Sequence, residues 1–163
     1  MFHVADWMPT LLEAIGVKRS VGVLPLDGVS HWQNLKYFPS RPSPRDTILL
    51  NIDRMWHRGY EPTPKNFTKY PNPYFDTHIH SGLIFQNWKL LTGDPGHGAF
   101  YLNKTDDPNP YPSVQLFDLS SDPLELVNLA PYFPSVVDTM LQKIDEFDQT
   151  SAPIYFPPYD EVC

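Results

Sequence analysis

Cysteine is almost missing from this 163-residue sequence, where the single one is Cys163. An intrachain disulfide and a cysteine-based zinc site are both excluded. No stretch approaches about 18 consecutive apolar residues, so nothing reads as a membrane-spanning helix. Basic residues are scarce, with 12 Lys and Arg against 19 Asp and Glu and a formal net charge of −7. That balance argues against nucleic acid and anionic membranes as partners, since both require a basic face. Met1 to Asp6 offers neither the basic start nor the apolar core of a signal peptide, which taken literally points to the cytosol. A phosphate-cradling glycine loop is also absent. The run Gly93-Asp94-Pro95-Gly96-His97-Gly98 lacks a following Lys-Ser/Thr and reads as a strand-ending turn.

Proline, by contrast, is abundant: 19 of 163 residues, or about 12% against a usual ~5%. Hydrophobic residues make up 41% and aromatics 14%, too rich for a disordered chain, while charged residues are only 19%. The length suits about one domain. These proportions predict a loop-rich, aromatic-rich fold with a true core.

Asp6 can cap a helix through Trp7–Ile15, with Pro9 in the first turn, Gly16 at its end, and Trp7, Leu11, Leu12 and Ile15 on one face. Leu26-Asp27-Gly28-Val29-Ser30 reads as a turn leading into a short helix over His31–Leu35. Thr47–Ile52 is apolar and bounded by turn signals, as a buried strand would be. Residues 54–77, holding Pro62, Pro64, Pro71 and Pro73, form a long loop. His78–Phe85, Gln86-Asn87 and Trp88–Thr92 read as a hairpin, and Val114–Leu119 as a further strand. Val136, Val137, Met140, Leu141, Ile144 and Phe147 recur at helical spacing, predicting a helix over 131–148. Ala152 to Pro158 is expected to be extended. The fold class is therefore α+β: a small antiparallel sheet packed against a long C-terminal helix.

Few residues suggest chemistry. His78 and His80, two apart on a predicted strand, would share a face and could bind a metal with His57 or His97. They could equally be loop-packed or surface histidines, and the lack of a carboxylate cluster at ligand spacing favours that reading. Asp76, His80 and Ser81 invite comparison with a hydrolytic triad, but neighbours on a strand point to opposite faces and no nucleophile elbow is present. Trp7, Phe85, Trp88 and Phe117 are expected to be packing residues. Two glycosylation sequons, at Asn66 and Asn103, fall in predicted loops and lean towards the secretory pathway. There, Cys163 would be a free thiol or the partner of a cysteine outside this sequence.

Several segments, in this order, resemble the C-terminal part of the sulfatases. They are His3-Val4-Ala5-Asp6-Trp7-Met8-Pro9-Thr10-Leu11-Leu12, Leu26-Asp27-Gly28-Val29, Asn87-Trp88-Lys89-Leu90-Leu91-Thr92-Gly93, Leu116-Phe117-Asp118-Leu119-Ser120-Ser121-Asp122-Pro123-Leu124-Glu125 with Asn128-Leu129, and Pro153-Ile154-Tyr155-Phe156-Pro157. The fourth is the most specific to sulfatases. The third and fifth point to the arylsulfatase B type, the N-acetylgalactosamine-4-sulfatases with their arylsulfatase I and J relatives. The resemblance implies the C-terminal subdomain of an alkaline-phosphatase-like α/β sulfatase fold. Residues 1–52 would be the tail of the large domain and residues 53–163 the small one.

The family's reaction uses a formylglycine made from the cysteine of Cys-x-Pro-x-Arg, a calcium ion, and Lys and His side chains. This sequence cannot hold that motif, so no catalytic and no calcium-binding residue carries over, and the chain alone is expected to be inactive. Calcium would be bound outside it. By resemblance, Cys163 matches a cysteine that pairs with one in the missing N-terminal sulfatase domain. His97 stands where relatives have one of two further cysteines, both absent here. His80 falls at a position where relatives also carry His, at the rim of the substrate pocket. The expected whole is a lysosomal or secreted glycoprotein acting on a sulfated glycan, with this chain a fragment of it. The alternative is a non-enzymatic glycan-binding or interaction module, which the charge of −7 disfavours. Standing alone, the Trp7 helix and the 47–52 strand would lose their partner sheet and expose apolar surface.

Overall fold

A computed structural model describes residues 1–17, 26–38, 40–54, 69–93 and 112–152. Four strands make one sheet: β1 (Thr47–Asp53), β2 (His80–Phe85), β3 (Trp88–Thr92) and β4 (Val114–Asp118). They lie in the order β1-β2-β3-β4, every neighbouring pair antiparallel. The register sets Leu49 opposite Leu83, Leu83 opposite Leu90 and Leu90 opposite Leu116, a leucine row running across all four strands. Directly opposed residues share a face, so this row forms a continuous apolar ridge.

Helix α3 (Pro134–Thr150) covers that ridge. Its Val137, Met140, Leu141 and Ile144, spaced i, i+3, i+4 and i+7, are fully buried, as are Leu83, Leu90 and Leu116. Full burial of such a side chain is worth about 1.5–3 kcal/mol, so these seven residues dominate the stability of this half of the molecule. Proline at the first helical position suits the start of α3, where an N–H would have no partner. Phe133, just before it, packs on Trp88 with ring centroids 5.2 Å apart. Arg54, one residue past β1, pairs with Asp148 near the far end of α3.

The N-terminal part is different. A 3-10 turn (Val4–Asp6) runs into α1 (Trp7–Ala14), and α2 (Trp32–Lys36) packs against α1. Gly28 brings the loop before α2 onto the turn: a Cβ there would stand 2.0 Å from the Ala5 carbonyl oxygen, so only glycine fits. Gly16 closes α1 with φ of +71°, in keeping with its place after the predicted helix.

Several expectations need correction. β1 pairs with β2, so the 47–52 strand has its partner sheet within this chain. β2 begins at His80, because His78 belongs to a turn closed by Ile79 N–H donating to the Asp76 carbonyl (2.9 Å). Trp7 is not in the core: it packs edge-on against Phe2, ring centroids 4.9 Å apart, and is 54% exposed. Asp6 makes no side-chain cap on α1, since its carboxylate is engaged elsewhere.

Candidate functional site

Of the residues singled out above, His78, His80, Ser81 and Asp76 are described. Asn66, Asn103, His57, His97 and Cys163 lie outside the described residues. The two histidines do not share a strand face. His78 turns its Nδ1 to Asp76 Oδ1 at 3.1 Å, and the same oxygen stands 3.1 Å from Lys69 Nζ. Burial works against the Asp76 charge, but the His78 N–H and the Lys69 and His78 side chains outweigh it and lower the carboxyl's pKa. His80 opens β2 opposite Asp53, half-buried beneath Gly93. Gly93 has φ of +82°, and a Cβ there would come 2.3 Å from His80 Cδ2. The glycine therefore sets how closely the end of β3 closes over the histidine ring.

Ser81 is not an activated nucleophile. Its Oγ lies 2.7 Å from Thr92 Oγ1, its register partner, and Thr92 donates its own proton to the Ile79 carbonyl at 2.6 Å. Proton bookkeeping then makes Ser81 the donor to Thr92. Both hydroxyls are buried and satisfied by strand neighbours. Among the described residues no group of three or more His, Cys, Asp or Glu is placed to hold a metal ion.

Polar chemistry instead concentrates at two structural centres. The first surrounds Asp6, which is completely buried. Its Oδ1 accepts from Val29 N (2.9 Å) and Arg45 Nη2 (2.5 Å), and its Oδ2 from His3 N (2.8 Å) and Arg45 Nε (2.8 Å). Burial pushes the carboxyl towards neutrality, but the Arg45 and backbone hydrogen bonds overcome it and hold the group well below the usual carboxylate range. His31 Nε2, also buried, lies 3.2 Å from Oδ2 but without the alignment of a hydrogen bond. Thr10 completes the cluster by donating to the Asp6 carbonyl (2.5 Å) and accepting from His31 N (2.9 Å). Two of the segments quoted for the family resemblance, around Asp6 and around Gly28, meet at this point.

The second centre is the turn after β4, built from the most family-specific segment. Asp118 accepts from Ser120 N (2.9 Å), Ser120 Oγ (2.6 Å) and Ser121 Oγ (2.9 Å), and these bonds lower its pKa. Asp122 accepts from Leu126 N (2.7 Å) and Val127 N (2.9 Å). Glu125 sits at φ of +57° and takes Lys89 Nζ from β3 on both carboxylate oxygens at 2.7 Å. Asn128 Oδ1 accepts from Leu116 N and Ala130 N, both at 3.0 Å. Every charged or amide residue of the segment thus folds the turn. The motif is architecture, which its composition alone did not disclose.

Against known proteins, no protein-family model matches this chain. Arylsulfatase J of Mus musculus is 29% identical over 181 aligned positions, an alignment taking in 98% of this chain and 28% of the mouse protein. The similarity is to a sulfatase. The chain spans little more than a quarter of that relative's length. Two solved structures also align. One, from Bacteroides thetaiotaomicron glycosaminoglycan metabolism, is 20% identical with a TM-score of 0.49, covering 90% of this chain and 24% of the other. The other, solved in complex with its substrate D-glucosamine-2-N,6-O-disulfate, is 20% identical with a TM-score of 0.45, covering 88% of this chain and 23% of that one.

Proposed function

We propose that this chain is the C-terminal portion of an arylsulfatase B-like sulfuric ester hydrolase, supplying its small domain while the catalytic half lies outside these residues. The observation that carries the reading is the alignment to arylsulfatase J along 98% of this chain but only 28% of that protein. The helical region supports it. Val4, Trp7, Met8, Leu11 and Ile15 are each more than half exposed and form one apolar stripe. A larger domain packed on that stripe would remove it from water.

On this reading the whole protein hydrolyses a sulfate ester of a glycan such as N-acetylgalactosamine 4-sulfate. Its formylglycine and calcium belong to the other domain, and no residue of this chain takes a catalytic step. His80 stands at the rim of the pocket, Cys163 pairs with a cysteine of the larger domain, and Asn66 and Asn103 carry glycans. The protein is lysosomal or secreted.

A reducing blot of source tissue with an antibody to residues 132–150 tests this. A band several-fold heavier than 18.8 kDa that shifts down on deglycosylation is expected. A band at 18.8 kDa alone would overturn the proposal. The 163-residue chain by itself should show no arylsulfatase activity.

A further inference from the structure

The 3-10 turn, α1 and α2 pack mainly among themselves, whereas α3 packs on β1 and β2. Among the described residues, the hydrogen bonds that join them to β1 centre on one side chain. Arg45 lies two residues before β1. It grips both oxygens of Asp6 and donates through Nη2 to the Asp27 carbonyl (3.0 Å) and through Nη1 to the Thr47 carbonyl at the head of β1 (3.2 Å). One guanidinium therefore ties the 3-10 turn, the loop before α2 and the first strand together. A planar fork of five donors can do this and an ammonium cannot. Asp6 is the matching hub, holding the turn and the α2 loop through His3 N and Val29 N.

We propose that Asp6 and Arg45 form a latch that joins the N-terminal helical region to strand β1 and fixes the orientation in which α1 presents its apolar stripe. The latch is a conformational device and takes no part in chemistry. It stands on the geometry of this chain whether or not the sulfatase reading holds.

Acid leaves it closed. The titratable and charged groups facing the pair are His3, just before the 3-10 turn, His31, just before α2, and Asp46 beside Arg45. A carboxyl with a lowered folded-state pKa contributes stability that is complete above its unfolded value, and that contribution fades only as the pH falls through the folded value. Asp6 is held far below the ordinary carboxylate range, so the join persists at pH 4.5 as at pH 7.

Hydrogen exchange on the 163-residue chain, corrected for intrinsic rates and read at pH 7.0 and pH 4.5, tests the latch. In the wild type, protection of α1 amides should be the same at both values. Asp6→Asn should lower α1 protection by about 100-fold or more, the scale of breaking a buried ion pair, while β2 and β3 stay protected. Arg45→Lys keeps the charge and loses the fork, so it should lower α1 protection by a smaller factor, again with the sheet intact. Three results would each overturn the proposal: unchanged α1 protection in both variants, equal loss across α1 and the sheet in both variants, or opening of wild-type α1 on going to pH 4.5.

Discussion

The two halves of this molecule are built with opposite polarity. In the sheet and α3, the buried residues are mostly apolar, led by Leu83, Leu90, Leu116, Val137, Met140, Leu141 and Ile144, with Ser81, Thr92 and Gln115 as the buried polar ones. In the N-terminal helical region the buried residues, among those described, are Asp6, Thr10 and His31, while Val4, Trp7, Met8, Leu11 and Ile15 face outward. A core of the first kind gains from removing apolar area from water. A core of the second kind gains little from burial and depends on each hydrogen bond being made, because an unsatisfied buried polar group is costly. The sheet half thus has an apolar core of its own. The helical half leaves its larger apolar side chains in contact with water.

Three substitutions sharpen this contrast, each read by urea unfolding. Leu141→Ala strikes the apolar core and should cost about 2–5 kcal/mol. A loss under about 1 kcal/mol would mean that the α3 packing is not what holds the sheet. Asn128→Ala removes the acceptor for Leu116 N and Ala130 N while sparing the core, and should cost about 1–3 kcal/mol. A neutral result there would show that the turn after β4 folds without its side-chain bonds. Trp7→Ser should move the midpoint least, by under about 0.5 kcal/mol, because the ring is more than half exposed. It should instead reduce self-association in light scattering at raised concentration. If Trp7→Ser destabilised the chain as much as Leu141→Ala, the two halves would share one core and the contrast would collapse.

The sheet half was largely legible in the sequence. The α3 pattern is a plain helical period, and Val136 to Phe147 placed it within a few residues of its ends. The hairpin around Gln86-Asn87 and the strands at 47–53 and 114–118 follow from apolar runs between turn signals, although the first, expected to be buried, lies at the sheet's edge with Leu50 exposed. These features are local, so local pattern finds them. The Asp6 centre is not local. Asp6 and Arg45 are 39 residues apart, and nothing near either announces the other. An Asp before a helix reads as a cap, and here a distant arginine claimed its carboxylate first. The histidine pair misled for a related reason. The Asp76 turn ends before β2 starts, so spacing by two did not place both rings on one strand. The sulfatase-like segment was recognisable as a string, but only the geometry around Asp118, Asp122, Glu125 and Asn128 shows that its residues bond to the backbone and to one another.

That turn has a consequence for how chains meet. β4 lies at the rim of the sheet, where a strand usually leaves a row of open donors and acceptors on which another chain can build. Here Asn128 meets Leu116 N and the Val114 carbonyl, Leu129 N meets the Leu116 carbonyl, and Ser121 N and Asp122 N meet the Asp118 carbonyl. The chain has folded its own hem over this border, so an arriving strand finds these positions taken and the sheet resists growth into a ribbon from that side.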